Sequence, residues 1–237
     1  MKTQKLKTRV FLTALTIFLL LAAGMPIFAQ NAELAQPVEG QKGEDSDVIT
    51  FTAQRMESVL AKGKEKTILI GAVVINTGSI EIRADRIELS GTDYNNLVCI
   101  GTVKIKDDSK GFSLVSDNLE YARDTEIGLA QSAVVLEDSK NNVILKAGWV
   151  RFDQKQSIVD ARIGVHILKE DFAVRAEYAR YNRDTESLEL SGKPTVVSPD
   201  GTITADTIRG KPNMDNLTLG GEVSGTITTK KKEGTTP

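Results

Sequence analysis

Apolar and polar residues alternate with a period of two along most of the chain from Val48 to Ile227, and helical spacing is absent there. Six segments align on this alternation: ITFTAQRMES, IEIRADRIEL, FSLVSDNLEY, VILKAGWVRF, FAVRAEYARY and TITADTIRG. A small residue marks the same place in each, at Ala53, Ala84, Ser116, Ala147, Ala176 and Ala205, with spacings of 31, 32, 31, 29 and 29 residues. The following position is mostly polar or acidic: Gln54, Asp85, Asp117, Gly148, Glu177 and Asp206. Each segment then crosses a polar turn into a second alternating stretch, namely ILIGAVVI, VCIGTVKI, LAQSAVVL, DARIGVHI, ELSGKPTV and TLGGEVSG. The pattern predicts six strand pairs, about twelve strands, with no proline between Val48 and Lys193 to interrupt a ladder.

The alternation changes parity at the small residue. Ile80, Ile82 and Ala84 share one parity, and Ile87 and Leu89 share the other. A strand keeps one apolar face through such a step only by a bulge or a sharp bend. The second strands carry a matching glycine at Gly71, Gly101, Gly192 and Gly221, where a bend or a close backbone approach justifies the residue. Ser132 and Ile163 break that rule. In the fourth unit Val159, Ala161, Ile163, Val165 and Ile167 alternate without a step and Gly164 lies one place late, which predicts a straighter strand or a different register. Two aligned corners per unit would fold the sheet into a V or a flattened barrel. The acids beside the small residues are expected to point outward or to bond exposed backbone at the bend.

The flanks read differently. Lys2, Lys5, Lys7 and Arg9 precede an apolar run from Val10 to Ala23, then Pro26 and Ala29, the pattern of a secretory signal peptide spanning residues 1–29. An uncleaved inner-membrane anchor through residues 10–28 is the alternative. Residues 30–47 form a polar linker, 48–227 the strand-rich domain and 228–237 a polar basic tail. The formal net charge is −2, and removal of residues 1–29 takes away four positive charges, leaving an acidic domain at −6.

Composition then excludes more than it proposes. One cysteine (Cys99) and one histidine (His166) leave no disulfide framework and no two-histidine zinc motif, and no metal or other cofactor is expected. An acidic domain with 5% aromatics does not suit nucleic acid. Asp85, Asp117, Glu177 and Asp206 recur one per unit, as a structural role at the bend requires, and do not converge in one loop as calcium ligands would. His166 sits opposite in parity to Val165 and Ile167, on a solvated face, and Cys99 reads as a small apolar strand residue. No nucleophile elbow, P-loop or dinucleotide fingerprint occurs, so no enzyme activity is expected.

The recurring (Ala/Ser)-Asp-x-apolar-x-(Leu/Tyr), a polar turn, then apolar-x-Gly-x-Val-x-Ile, clearest in IEIRADRIEL with CIGTVKI and in FSLVSDNLEY with QSAVVL, resembles the LptA/OstA-like lipopolysaccharide-transport family over about residues 48–227. The resemblance implies an all-β fold, an antiparallel β-jellyroll open along one side (a β-taco). It also implies a periplasmic protein whose trough holds acyl chains of lipopolysaccharide or a related glycolipid. Protomers of the family join end to end between inner and outer membranes, so the implied partners are neighbouring β-jellyroll components and further copies of the chain. On this reading the lipid-binding lining is the apolar parity of the central repeats: Ile82, Ile87, Leu89, Ile100, Val103, Leu114, Leu119, Val134, Val150, Phe152, Val165 and Val174. Phe152, Trp149 and Tyr181 are candidates for a mouth. The end strands near Phe51 and near Ile203 or Ile227 are the expected acceptors of a neighbouring strand. The alternative is a structural envelope scaffold with a dry β-core and no ligand.

Overall fold

The structure is a computed structural model, and it describes residues 49–59, 61, 63–214 and 216–228. The signal segment, nearly all of the linker and the end of the tail lie outside these residues. Sixteen strand segments form one antiparallel sheet. They are β1 (Ile49–Thr52), β2 (Arg55–Val59), β3 (Lys66–Thr77), β4 (Ile80–Ser90), β5 (Asn96–Asp107), β6 (Phe112–Ala122), β7 (Ile127–Asp138) and β8 (Val143–Asp153). The chain continues through β9 (Ile158–Lys169), β10 (Phe172–Asn182), β11 (Ser187–Ser191), β12 (Thr195–Ser198), β13 (Gly201–Thr204), β14 (Thr207–Gly210), β15 (Leu217–Gly220) and β16 (Ser224–Ile227). Strands β3 to β10 run unbroken, whereas β1/β2, β11/β12, β13/β14 and β15/β16 are each one strand broken in two. That makes the twelve strands the alternation predicts.

Every unit bends at the predicted place. The ladder shifts between Arg83 and Arg86, between Val115 and Asn118, between Lys146 and Trp149, and between Ala176 and Tyr178. The breaks at Ala53-Gln54 and Ala205-Asp206 fall at the same place in the end units. At each of these shifts the second strand carries one residue more than the first, the arrangement of a bulge. The bends line up and divide the sheet into two arms. One arm runs β1, the second half of β3 and so on to β10, β12, β13 and β16. The other runs β2, the first half of β3 and so on to β10, β11, β14 and β15. The two edges do not pair with each other, so the sheet stays open.

The second strands all turn through left-handed backbone at the crease: Gly71-Ala72, Gly101-Thr102, Ser132-Ala133, Ile163-Gly164 and Gly192-Lys193 all have positive φ, as does Gly221. The fourth unit is therefore not straighter than its neighbours. Ile163, at φ 69°, takes the conformation that glycine takes elsewhere. Ser132 does the same at φ 64°. Left-handed backbone costs a non-glycine residue about 1–2 kcal/mol, and sheet pairing on both sides of β7 and β9 holds them in it. Ala84, Ser116, Ala147, Ala176 and Ala205 are buried inside the fold of the crease, where little room remains. Asp85, Asp117, Glu177 and Asp206 project outward. Asp206 also accepts a hydrogen bond from the backbone N–H of Glu222 at 3.0 Å, so its carboxylate serves the bend.

Candidate functional site: the apolar interior between the arms

The inner faces of the two arms enclose one apolar core. Cross-strand pairing makes its rows explicit. In the arm that ends in β15, Leu69, Ile87, Cys99, Leu119, Ala130, Val150, Ala161, Ala179, Leu190 and Ile208 stand opposite one another from β3 to β14. In the other arm the equivalent row runs through Ile75, Ile82, Ile105, Leu114, Leu136, Leu145, Ile167, Val174 and Val196. Alternation at the pleat puts these side chains on a single face, and burying each aliphatic one contributes about 1.5–3 kcal/mol.

Ten of the twelve residues read as lining are fully buried or nearly so on these inner faces: Ile82, Ile87, Val103, Leu114, Leu119, Val134, Val150, Phe152, Val165 and Val174. Leu89 is half-buried against the same core. Ile100 is a correction. It is 42% exposed on the outer face, because the inner parity of β5 belongs to Leu97 and Cys99 before the bend and to Val103 and Ile105 after it. The three aromatics do not make one mouth. Phe152 is buried, Tyr181 faces the interior, and Trp149 lies outside with Arg162 over its ring at 4.8 Å.

Ile87, Val103, Leu114 and Leu119 are fully buried between the arms. The interior opens farther along. An apolar slot of about 140 Å³ is lined by Leu136, Leu145 and Ile167 on one arm and by Val159, Ala161 and Ala179 on the other, with Phe172 and Tyr181 beside them. It forms there because the row that carries Ile87 and Leu119 in earlier strands carries Ala161 and Ala179 in β9 and β10. Pro212 and Met214, from the turn between β14 and β15, also border it. The alternating pattern registers these alanines as strand residues, and only the facing arm reveals the gap they leave.

The interior is chemically quiet. Cys99 is buried between Ile87 and Leu119, and burial pushes its thiol up to about 12. Among the described residues no group of His, Cys, Asp and Glu is placed to hold a metal ion, and no helix is long and apolar enough to cross a membrane. Several buried polar side chains, Asp107, Asp138 and Asp153 among them, sit at the rim turns. The Ser109 hydroxyl donates to Asp107 Oδ1 at 2.6 Å, and the backbone N–H groups of Lys140 and Asn141 donate to Asp138 Oδ1 at 3.0 and 3.1 Å. These contacts close turns and leave the interior to hydrocarbon.

At the ends the inner face is uncovered. Phe51 and Met56, opposite Ile75 and Leu69, are about half exposed on β1 and β2. Ile227 on β16 is exposed at the other end. Ile203 is not an edge residue, because β13 pairs with β12 on one side and β16 on the other.

The solved structure of LptH, described as the LptA homologous periplasmic component of the conserved lipopolysaccharide transport device from Pseudomonas aeruginosa, aligns with 77% of this chain and 96% of its own, at 11% identity and a TM-score of 0.27. No curated protein matches the sequence. A family described as "LptA/(LptD N-terminal domain) LPS transport protein" matches residues 52–215, from β1 to the turn after β14. With that match covering most of the chain and running through five bent strand pairs and the first strand of the sixth, this protein belongs to the LptA/LptD N-terminal family of LPS transport proteins.

Proposed function

We propose that the chain is a periplasmic carrier that takes the acyl chains of lipopolysaccharide, or of a related glycolipid, between its two arms and hands them along a row of similar domains. The apolar slot between the arms carries this reading, because it is lined by aliphatic side chains from both arms and no polar group of the lining reads as a reactive centre. Flexible acyl chains gain about 0.8 kcal/mol for each methylene buried, and such a surface asks nothing else of its ligand. A cavity of about 140 Å³ is the size that takes up a benzene-sized molecule, and ligand sites usually run to roughly 300 Å³ or more. Acyl chains therefore enter by parting the arms. The bulged crease, where each ladder already shifts register, is the line about which they part.

Export by residues 1–29 and bridging through the edges β1/β2 and β15/β16 belong to the same proposal. The uncovered inner-face residues Phe51 and Met56 at one end and Ile227 at the other would be covered by a neighbouring domain added strand to strand. The full burial of Ile87, Val103, Leu114 and Leu119 favours the second reading, a scaffold whose core stays dry. A photoreactive residue at Ile167 separates the two. It labels lipopolysaccharide added to the purified protein if the slot takes acyl chains. Absence of labelling by lipopolysaccharide and by the cell's own extracted glycolipids overturns the carrier reading.

A further inference from the structure

The outer face carries a patch that the carrier reading does not use. Around the fourth bend, Lys146, Gly148 and Trp149 on β8 lie beside His166, Ile163 and Arg162 on β9, which lie beside Arg175, Glu177 and Tyr178 on β10. Ile163 stands at the centre and is 66% exposed, more than any other large apolar residue among those described except Ile227 at the chain's last strand. It is held there in left-handed backbone, a strained state for a β-branched residue. No interior contact compensates for that strain, since the side chain points away from the core.

The charges around it are uncompensated. Elsewhere on the outer face several cations pair with carboxylates, as Arg83 with Glu81 at 2.8 Å, Arg151 with Asp153 at 3.1 Å and Arg209 with Glu189 at 2.7 Å, although Lys104 does not pair among the described residues. Among the described residues Lys146, Arg162 and Arg175 have no such partner, and Gly148 stands where four other units carry an acid. Glu177 lies inside the patch, and the Asp160 carboxylate borders it, accepting a hydrogen bond from the Tyr178 hydroxyl at 2.6 Å. Arg162 lies over Trp149 at 4.8 Å and beside Tyr178 at 5.4 Å, which fixes both rings at the surface.

We propose that this outer face docks on a bilayer surface rich in phosphate-bearing anionic headgroups. Cations supply attraction of about 1 kcal/mol each near such a surface. Indole and phenol rings settle at headgroup level, and Ile163 is the protruding aliphatic group that enters the acyl boundary. A bilayer suits the patch better than an acidic protein, because the patch joins its cations to an exposed aliphatic group, Ile163, and to two surface rings, Trp149 and Tyr178. The inference is independent of what the slot between the arms carries.

Trp149 is the chain's single tryptophan, so its emission reports on this patch alone. The protein, purified as its own cell processes it, is titrated with phosphatidylglycerol vesicles, phosphatidylcholine vesicles and inorganic phosphate. The expected result is a blue shift with phosphatidylglycerol, quenched by spin-labelled lipid, and neither effect with the other two probes. Lys146→Glu with Arg175→Glu should weaken vesicle binding at least tenfold. Ile163→Gly relieves the backbone and adopts the residue four other units carry, so it should fold at least as well and still lose the blue shift. Unchanged emission with phosphatidylglycerol, an equal response to inorganic phosphate or polyglutamate, or full binding by the charge-reversed variant would each overturn the proposal.

Discussion

A Cβ added to Gly148 would stand 2.9 Å from Cβ and Cγ2 of Ile163, so the isoleucine fills the space that its partner leaves empty. Four of the other units, with Gly71, Gly101, Gly192 and Gly221, are built the opposite way round. A Cβ on Gly101 would meet Cβ and Cγ of Asp85 at 3.0 Å, and one on Gly192 would meet Cβ of Glu177 at 2.5 Å. At these bends one side chain fits across, and the fourth unit has moved it from the first strand to the second; the third unit alone carries one on each strand, Asp117 and Ser132.

This exchange predicts strong coupling. Gly148→Asp alone should cost about 1–3 kcal/mol through overpacking against Ile163. Ile163→Gly alone should be neutral or stabilising by about 1 kcal/mol, since it relieves the backbone. The double variant, which rebuilds the arrangement of Asp85 and Gly101, should return close to the parent stability in urea unfolding. Additive effects of the two substitutions would show that the bend accommodates side chains on both strands.

The twelve strands and the crease were legible because parity is a local property: Ala84 and the step from Ile82 to Ile87 announce a bend without knowledge of any partner. The side on which Ile100 ends up was not, since Gly101 and Thr102 together face the single residue Asp117, so that β5, unlike the first strands, keeps one inner parity from Cys99 to Val103 through its bend. Ile163 misled for a related reason. Its alternation with Val159 and Val165 looked regular, whereas the ladder to β8 and β10 forces it into the left-handed region. The interior was legible as an apolar face, but the slot depends on Ala161 and Ala179 facing Leu145 and Ile167 across the fold, a long-range relationship that no spacing encodes.

Asp107 predicts an acid limb in the stability curve. Burial pushes its carboxyl up, but hydrogen bonds from Ser109, Ser79 and the Lys110 backbone, with the Lys110 charge, pull it further down, below the usual carboxylate range. A carboxyl lowered in the folded state stabilises above its unfolded value near pH 4 and loses that contribution as pH falls through the folded one. Asp107→Asn should therefore cost about 1–3 kcal/mol near neutral pH and flatten the stability profile below about pH 4. Chemical denaturation at a series of pH values gives both quantities.

Cys99 predicts how closed the core is. With its thiol buried and raised to about 12, it should resist maleimide in the folded protein and react at once in urea. Parting of the arms is local opening, and it would expose Cys99 well before global unfolding. Labelling rates should therefore rise only weakly with denaturant at low concentrations if the arms part on their own. A rate that follows global stability throughout would mean that the core opens only by unfolding.

Filling the slot tests its use without breaking the fold. Ala179→Leu on β10 adds aliphatic atoms where space exists, so its cost should stay within about 1 kcal/mol. Val150→Leu on β8 adds a methylene where the side chain is fully buried and no slot is present, and should cost about 1–3 kcal/mol. If acyl chains occupy the slot, Ala179→Leu abolishes crosslinking of lipopolysaccharide at position 167, whereas Val150→Leu lowers stability and leaves the crosslink in place at temperatures where the variant is folded. Equal loss in both variants would mean that capture follows overall stability. Retention in Ala179→Leu would place the lipid outside the gap that Ala161 and Ala179 create.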